Sequence, residues 1–171
     1  NILESMHDWI MSLDLNGMQD VVYIDFSRAF DSVVHSKLLY KLHNIGITGD
    51  LYNWIAEFLS NRLQCTVIES KFSSVSEVVS GVVQGSCLGP LLFIIYINDI
   101  CKIIDNDSSC KLYADDLKLY SNYNSSVDAM QTIQKSLDNL YTWSVDWQMG
   151  INLAKCCVLH LGKNTVKMIT I

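Results

Sequence analysis

Hydrophobic and polar positions follow two different periods in the first third of the chain. Apolar residues recur at helical spacing over residues 2–13, which predicts an amphipathic helix. The β-branched and aromatic run 21–24 has acidic residues on both sides and predicts a buried strand that ends at Asp25. Two further helices are predicted, one over residues 35–46 and one over residues 51–59.

The rest of the chain mixes strand patterns with two more helical ones. A helix is predicted over residues 88–104, where Pro90 is tolerated because it falls in the first turn, and another over residues 127–147. The strand patterns predict a hairpin of 64–69 with 76–79, a hairpin of 111–114 with 117–120 whose tip is Asp115-Asp116, and a last strand at 156–161. This order predicts an α+β fold, in which helices cover a mostly antiparallel sheet.

Length and composition indicate the number of domains, the absence of a membrane span and the state of the cysteines. The chain has 171 residues, half of them apolar, which suits one domain with a sizeable core. Its longest apolar run, residues 88–97, is half the ~20 residues of a membrane span, so we expect no membrane association. Six cysteines without a C-x-x-C pair are expected to be reduced core thiols. The first residue is Asn, so we expect a piece of a longer protein.

The charge balance argues against one function. The 12 basic and 18 acidic residues give a formal charge of −6. That sign is wrong for a protein that gains its affinity by neutralising phosphates. A nucleic-acid role therefore needs specific support from the residues.

Acidic side chains stand at two places where a rigid sheet could hold them. Asp25 follows the first strand, and Asp115 and Asp116 lie at the predicted hairpin tip. If the two strands are neighbours, the acids converge, and their repulsion is relieved by a cation such as Mg²⁺. Spacing alone favours a plainer interpretation, a helix cap at Asp25 and an Asx-type turn at the pair, because acidic turns are common.

Four segments closely resemble motifs of one enzyme family. YIDFSRAFDSV at 23–33, SGVVQGSCLGPLLFIIYIND at 80–99 and YADD at 113–116 resemble motifs A, B and C of reverse transcriptases. A fourth block, residues 143–156, resembles motif D. The amino-acid sequences of the motif A and motif B segments are most similar to those of the non-LTR, LINE-type retrotransposon group, in particular jockey-like elements. The four motifs occur in the family's order and extend through nearly all of the chain.

The resemblance implies a role for each site residue. Asp25 and Asp115 would be the main ligands of two Mg²⁺ ions, with Asp116 as a weaker third ligand and Mn²⁺ as an alternative ion. Lys155 would protonate the leaving pyrophosphate as a general acid. The residues at the nucleotide, the template base or the primer end would be Phe26, Phe30, Gln84, Gly85 and Tyr113.

Several of these residues also have a plainer interpretation. Phe30 matches the bulky residue that would exclude a 2′-hydroxyl, with a plain core side chain as the less favoured alternative. Gly85 suits a backbone that lies against a base or has a positive φ, and it could be a simple bend. Lys155 could be a surface lysine after a turn. Asp31 is interpreted as a cap of the following helix.

The resemblance also implies the whole activity. The fold would be a polymerase palm-like antiparallel sheet packed on helices, with part of the fingers, in a single reverse transcriptase domain over residues 1–171. The partners would be an RNA template, a DNA primer and deoxynucleoside triphosphates, inside the cell in cytoplasm and nucleus. The oligomeric state is left open. Basic surfaces on fingers and thumb outside this sequence would reconcile the acidic charge with nucleic-acid binding.

Two departures from the family pattern bear on activity. Val83 stands where motif B usually has proline, and Leu117 where threonine commonly follows the acids. Loss of the proline ring is expected to loosen the loop that positions Gln84. Two other functions stay open: an inactive or domesticated remnant that only binds partners, and a metal-dependent nuclease or phosphotransferase, for which motif B has no use.

Overall fold

The chain divides into two compact units. A computed structural model describes residues 2–15, 17–123 and 126–162. One unit consists of Asn1–Ser27 with Asp99–Ile171, and the other of Arg28–Asn98. Within the described residues, no helix is both long and apolar enough to cross a membrane.

The first unit is built on a four-stranded sheet. Its strands are β1 (Met18–Ile24), β6 (Ser109–Tyr113), β7 (Asp116–Tyr123) and β8 (Cys157–Leu161), in the spatial order β6-β7-β1-β8. Every neighbouring pair is antiparallel. This confirms the predicted α+β class with an antiparallel sheet. Strand β1 has neighbours on both sides, which explains its β-branched, fully buried centre at Val21 and Val22.

Helices cover both faces of this sheet. Helix α6 (Ser126–Asp146) packs on the face that carries Ile24, and it buries Ile133, Leu140 and Trp143. Helix α1 (Ile2–Asp14) lies over the opposite face. There Trp9 meets Tyr120 edge-on with ring centroids 6.3 Å apart.

Tyr120 connects α1 to the sheet. Its ring is fully buried, and its hydroxyl donates a 2.5 Å hydrogen bond to Asp8 Oδ2. Burial, together with the Asp8 carboxylate, disfavours the phenolate and raises the pKa of Tyr120 to about 12. The tyrosine therefore stays a neutral donor at physiological pH.

The second unit is mainly helical. Its helices are α2 (His35–Asn44), α3 (Gly49–Leu59) and α4 (Gly89–Ile97), and a 3₁₀ turn (Ala29–Ser32) precedes them. Two short antiparallel ladders form its hairpin region: β2 (Leu63–Gln64) with β5 (Ser76–Glu77), and β3 (Val67–Ile68) with β4 (Lys71–Phe72). Between α2 and α4, the buried Lys41 ammonium donates to the carbonyl of Tyr96.

Three predictions need correction. The apolar run 88–104 is two helices, α4 and α5 (Ile100–Ile103), because Asn98 and Asp99 interrupt it with polar side chains that favour caps and turns. The hairpin loop is Ala114-Asp115, so that Asp116 begins β7. The six thiols are free, as expected, but the expected core location is wrong, because the thiols at positions 65, 87, 101 and 157 are exposed.

Gly81 is a position where the fold requires glycine. Its φ is +90°, and a Cβ atom there would lie 2.9 Å from the Cα of Asp31. Gly46 has the same φ of +91° but no atom of the described residues within 4 Å of such a Cβ. A comparison of Gly81 with Gly46 therefore separates the cost of the backbone conformation from the cost of steric crowding.

We expect Gly81→Ala to destabilise the protein more than Gly46→Ala. Both variants should lose about 1–2 kcal/mol of unfolding free energy, because a left-handed conformation is costly for a side-chain-bearing residue. Gly81→Ala should lose about 1–3 kcal/mol more, since backbone must move to accept the new methyl group. Urea unfolding measures both, and equal losses would contradict the crowding at Gly81.

Candidate active site

Asp25 lies directly after β1 and is held by the segment that precedes β8. Its carbonyl accepts a 2.8 Å hydrogen bond from the Asn152 amide, and the Ser27 amide donates to the Gly150 carbonyl at 2.7 Å. An isolated bridge pairs Phe26 with Ile151 between these bonds. The motif D segment thus fixes the backbone on which the motif A aspartate is carried.

The same segment brings a cation to this carboxylate. The Lys155 amide donates to the Asn152 carbonyl at 3.0 Å, closing a turn. Lys155 Nζ then lies 3.3 Å from Asp25 Oδ1 and 3.4 Å from Asp25 Oδ2. The lysine side chain is 65% exposed and that of Asp25 is 25% exposed, so the pair faces solvent on the lysine side.

The hairpin of β6 and β7 brings a second carboxylate to the same place. Ile24 pairs with Leu117, so that Asp25 and Asp116 occupy the next opposed positions of the β1–β7 register. A cleft of about 600 Å³ is lined by Asp25, Asp116, Lys155 and Tyr113, among others. Tyr113 is 72% exposed in this cleft.

Asp115 takes a different position from its neighbour. It is the second loop residue of the hairpin, after Ala114, whose φ is 51°. A positive φ at the first loop residue is typical of a type II′ turn. Asp115 is partly exposed at this tip and is not among the residues that line the cleft. The structure therefore brings Asp25 and Asp116 together more directly than Asp25 and Asp115.

The carboxylate oxygen atoms of this cleft are ligands of the kind that a hard cation prefers, but within the described residues they do not form a complete metal site. Asp25 Oδ1 is buried and has no hydrogen-bond donor among the described residues, although the Lys155 ammonium lies beside it. Carboxylate oxygens are the ligands that Mg²⁺ and Mn²⁺ prefer. No three Asp, Glu, His or Cys side chains within residues 2–15, 17–123 and 126–162 form a group that could hold a metal ion. We expected all three aspartates to meet. The structure places Asp25 and Asp116 opposite each other in the cleft and Asp115 at the adjacent hairpin tip.

Phe26 packs in the core rather than toward the cleft. Its ring is 2% exposed and lies 6.2 Å from the Trp143 ring, centroid to centroid. Alternation along the strand places it on the α6 side of the sheet, opposite to Asp25. Contact of Phe26 with a substrate is therefore limited to its backbone.

Phe30, Gln84 and Gly85 belong to the second unit. The Phe30 ring stacks on Phe93 with centroids 4.2 Å apart and planes 20° apart. Gly85 has a φ of +79°, which agrees with the expected need for glycine. Gln84 is exposed, and its Nε2 donates a 2.7 Å hydrogen bond to Asp31 Oδ1. Asp31 lies inside the 3₁₀ turn and binds Gln84, so its interpretation as a helix cap is wrong.

Sequence reasoning missed Ser86, which ties the motif B loop. Its Oγ donates to the Val83 carbonyl at 2.7 Å and accepts from the Gly89 amide at 2.9 Å. These two bonds close the loop at the residue that replaces the usual proline. The cap position of α4 is Leu88, two residues after Ser86, so no ordinary capping pattern pointed to this serine.

Two cleft lysines were also missed. Lys111 and Lys118 line the same cleft as the aspartates and pair directly across β6 and β7. A two-residue loop fixes the hairpin register, so that the true tip, Ala114-Asp115, would have predicted this pairing. The predicted tip, Asp115-Asp116, was shifted by one residue toward the C-terminus, so it did not pair Lys111 with Lys118.

The family profile described as reverse transcriptase (RNA-dependent DNA polymerase) matches residues 4–171. The RNA-directed DNA polymerase from mobile element jockey of Drosophila melanogaster is 28% identical over 173 residues, which cover 95% of this chain and 19% of the relative. Its counterpart from Drosophila funebris is 31% identical over 140 residues, 78% of this chain and 15% of the relative. The chain thus spans about a fifth or less of the length of these curated relatives.

Solved structures of telomerases share the fold. Apo telomerase from Candida tropicalis, truncated from its C-terminal domain, superposes with a TM-score of 0.65 and 13% identity, over 99% of this chain and 36% of that one. Telomerase from Candida albicans, in complex with a fragment of telomeric RNA, gives a TM-score of 0.63 and 14% identity, over 97% and 30%. This likeness supports the palm-like α+β architecture. With the family profile matching from residue 4 onward and the mobile-element polymerases as relatives, the chain belongs to the reverse transcriptase family, in its non-LTR retrotransposon branch.

Proposed function

We propose that this protein is an RNA-directed DNA polymerase that extends a DNA primer on an RNA template with deoxynucleoside triphosphates. The observation that carries the proposal is the cleft at which Asp25, Asp116, Tyr113 and Lys155 meet. Its two carboxylates come from motifs A and C and its lysine from motif D. The curated relatives are named RNA-directed DNA polymerases, and the Candida albicans telomerase structure contains RNA, which supports a nucleic-acid template.

Reverse transcriptases use divalent metal ions, and we propose Mg²⁺ here, with Mn²⁺ as an alternative. Asp25 and Asp115, assisted by Asp116, would hold the two ions. When bound, such ions neutralise the charge that develops on the attacking 3′ oxygen and the leaving pyrophosphate. The buried Oδ1 of Asp25, which accepts no hydrogen bond within the described residues and lies 3.3 Å from the Lys155 ammonium, supports this assignment. This mechanism requires no nucleophile from the protein.

Lys155 is proposed to act as the general acid. Its ammonium lies against the Asp25 carboxylate, which keeps a proton donor at the edge of the metal-binding cleft. Leaving pyrophosphate gains negative charge as the bond breaks, and a nearby cation that donates a proton lowers that cost.

Residues of motifs A, B and C would select the nucleotide and hold the primer. Phe30 would exclude a 2′-hydroxyl, Gln84 and Gly85 would lie beside the nucleotide and the template base, and Tyr113 would face the primer end. Two observations support the motif B roles. Gly85 takes the conformation that needs glycine, and the bond from Gln84 to Asp31 orients the glutamine from motif A.

We expect Asp25→Asn and Asp115→Asn each to abolish primer extension without unfolding the protein. The loss should be on the order of a thousandfold, because several kcal/mol of transition-state stabilisation disappear with a metal ligand. Asp116→Asn should lose less. Single-turnover extension of a DNA primer on RNA, with the protein that the complete reading frame encodes, measures these rates.

Asp14→Asn is the matched control, since Asp14 is exposed at the end of α1, away from the cleft residues. It should extend the primer at the unmodified rate. Circular dichroism checks that all four variants fold. Full extension by Asp25→Asn or Asp115→Asn would refute the metal-ligand roles, whereas no extension by the unmodified protein would favour an inactive remnant that only binds partners.

Phe30→Val tests the proposed exclusion of ribonucleotides. The preference for deoxynucleotides over ribonucleotides should fall at least about tenfold, since the ring no longer meets the 2′-hydroxyl. Phe58→Val is the control, because Phe58 is also half-buried and stacks on Trp54 within the same unit. Ratios of kcat/KM for the two nucleotide types measure the effect. If both variants lose stability and keep the preference, Phe30 is only a core side chain.

A further inference from the structure

Two lysines face each other on the sheet surface that carries the aspartates. Lys111 of β6 pairs directly with Lys118 of β7. Lys118 also pairs with Tyr23, two residues before Asp25, so strand alternation puts the lysines and Asp25 on one face. Like charges placed directly opposite on neighbouring strands destabilise a sheet. Such a pair is therefore stabilised by any anion that lies between or above the two ammonium groups.

Positive charge in the first unit is concentrated at this cleft. The described part of the unit has five lysines, at positions 102, 111, 118, 135 and 155, and no arginine. Three of the five, Lys111, Lys118 and Lys155, line the cleft. Lys135 instead pairs with Asp105 at 2.7 Å, which lowers the pKa of that carboxyl group. A chain with a formal charge of −6 thus places three lysines in the cleft that also holds Asp25 and Asp116.

Helix α1 supplies the present partners of the two lysines. Glu4 Oε2 lies 3.4 Å from Lys111 Nζ, and Ser5 Oγ lies 3.4 Å from Lys118 Nζ. The Trp9 ring lies under Lys118, with 5.2 Å from Nζ to the centroid. Both polar contacts are at the long end of the hydrogen-bond range, and the Glu4 side chain is 64% exposed. A carboxylate in such a position is readily exchanged for another anion.

The first turn of α1 is held on the sheet by polar contacts. Its buried residues are Ser5 and Ser12, whereas Leu3, Met6 and Ile10 are 79%, 47% and 53% exposed. Surface helices normally gain their stability by burying an apolar face. This helix turns Ser5 and Ser12 to the sheet, and its apolar contact there is the Trp9–Tyr120 ring pair. The Asp8–Tyr120 hydrogen bond holds the middle of the helix, whereas the first turn is held by the Glu4–Lys111 and Ser5–Lys118 contacts, which a competing anion can replace.

We propose that the Lys111–Lys118 pair binds backbone phosphates of the nucleic-acid strand, and that Glu4 of α1 occupies this phosphate position in the present structure. The inference rests on the proposed polymerase function and names a further contact of its nucleic-acid substrate. The pair lies two strand residues, roughly 7 Å, from the Tyr113–Asp116 pair. A strand whose 3′ end reaches the carboxylates along β6 and β7 would pass over the lysines, which favours the polynucleotide over the triphosphate of a free nucleotide.

The test is the salt dependence of binding to a fluorescein-labelled DNA primer on an RNA template, followed by fluorescence anisotropy. In Lys111→Gln/Lys118→Gln, the slope of log affinity against log salt should become shallower by about 1.5 to 2, because two phosphate contacts are lost. The affinity at fixed salt should fall about tenfold. Lys111→Arg/Lys118→Arg keeps both charges and should retain the slope.

Lys102→Gln is the matched control, an exposed lysine of the same unit that does not line the cleft. It should bind like the unmodified protein. Circular dichroism excludes unfolding of the glutamine variants. An unchanged slope in the folded double glutamine variant overturns the proposal. Weaker binding of deoxynucleoside triphosphate without weaker binding of the primer–template overturns it too, because the pair then serves the nucleotide.

Glu4→Gln tests the occupation of the site by α1. Removal of the carboxylate should strengthen primer–template binding by up to about fivefold, as expected for the loss of one exposed ion pair. Asp14→Asn, at the far end of the same helix, should leave binding unchanged. Weaker or unchanged binding by Glu4→Gln overturns the occupation of the phosphate position by Glu4.

Primer extension by the same preparations separates this inference from the polymerase proposal. An unmodified protein that extends the primer, together with an unchanged salt slope in the double glutamine variant, rejects the lysine site and keeps the polymerase. An unmodified protein that does not extend the primer, together with the expected loss of slope, keeps the phosphate site and rejects the polymerase.

Discussion

The pairing of β1 with strands on both sides is the constraint on which the candidate site depends. The β1–β7 register sets Asp25 opposite Asp116, and the segment before β8 binds the backbone of Asp25 to Asn152. Three distant parts of the chain therefore meet at one edge because one central strand is hydrogen-bonded on both sides. Shifting either register by one residue would turn Asp25 to the α6 face, where the side chains are apolar.

Strand β1 also carries a buried acidic residue, Asp20, which has a hydrogen-bonding partner on the neighbouring strand. Asp20 is 1% exposed and lies 2.5 Å from His160 Nδ1, on the directly paired position of β8. A buried carboxylate needs a hydrogen-bonding partner, or desolvation outweighs what the strand gains elsewhere. Asp25, one residue beyond the same strand, lies beside the solvent-facing Lys155. The two aspartates thus differ in exposure, because the side chain of Asp20 is enclosed with His160 whereas that of Asp25 opens on the cleft.

Sequence patterns predicted the elements better than the contacts between them. The strand that ends at Asp25 and helix α6 were predictable, because apolar periodicity reports burial and both are buried. The orientation of α1 was not, since its apolar stripe faces outward and its buried residues are Ser5 and Ser12. Nor was the break at Asn98, because a long apolar run hides a short polar interruption. The roles of Gln84 and Gly85 came from the resemblance, whereas the bond of Gln84 to Asp31 depends on a tertiary contact that no local pattern encodes.

Net charge is a poor guide to what this protein binds, because charges are screened beyond about 8 Å at physiological ionic strength. Within the cleft, Lys111, Lys118 and Lys155 face two aspartates, so that three positive and two negative charges leave a formal +1. Glu4 brings that local sum to zero while α1 lies over the sheet. Neutralisation of the aspartates by divalent ions would raise it further. Displacement of Glu4 and binding of such ions would therefore make the cleft attractive to phosphate, although the chain as a whole is acidic.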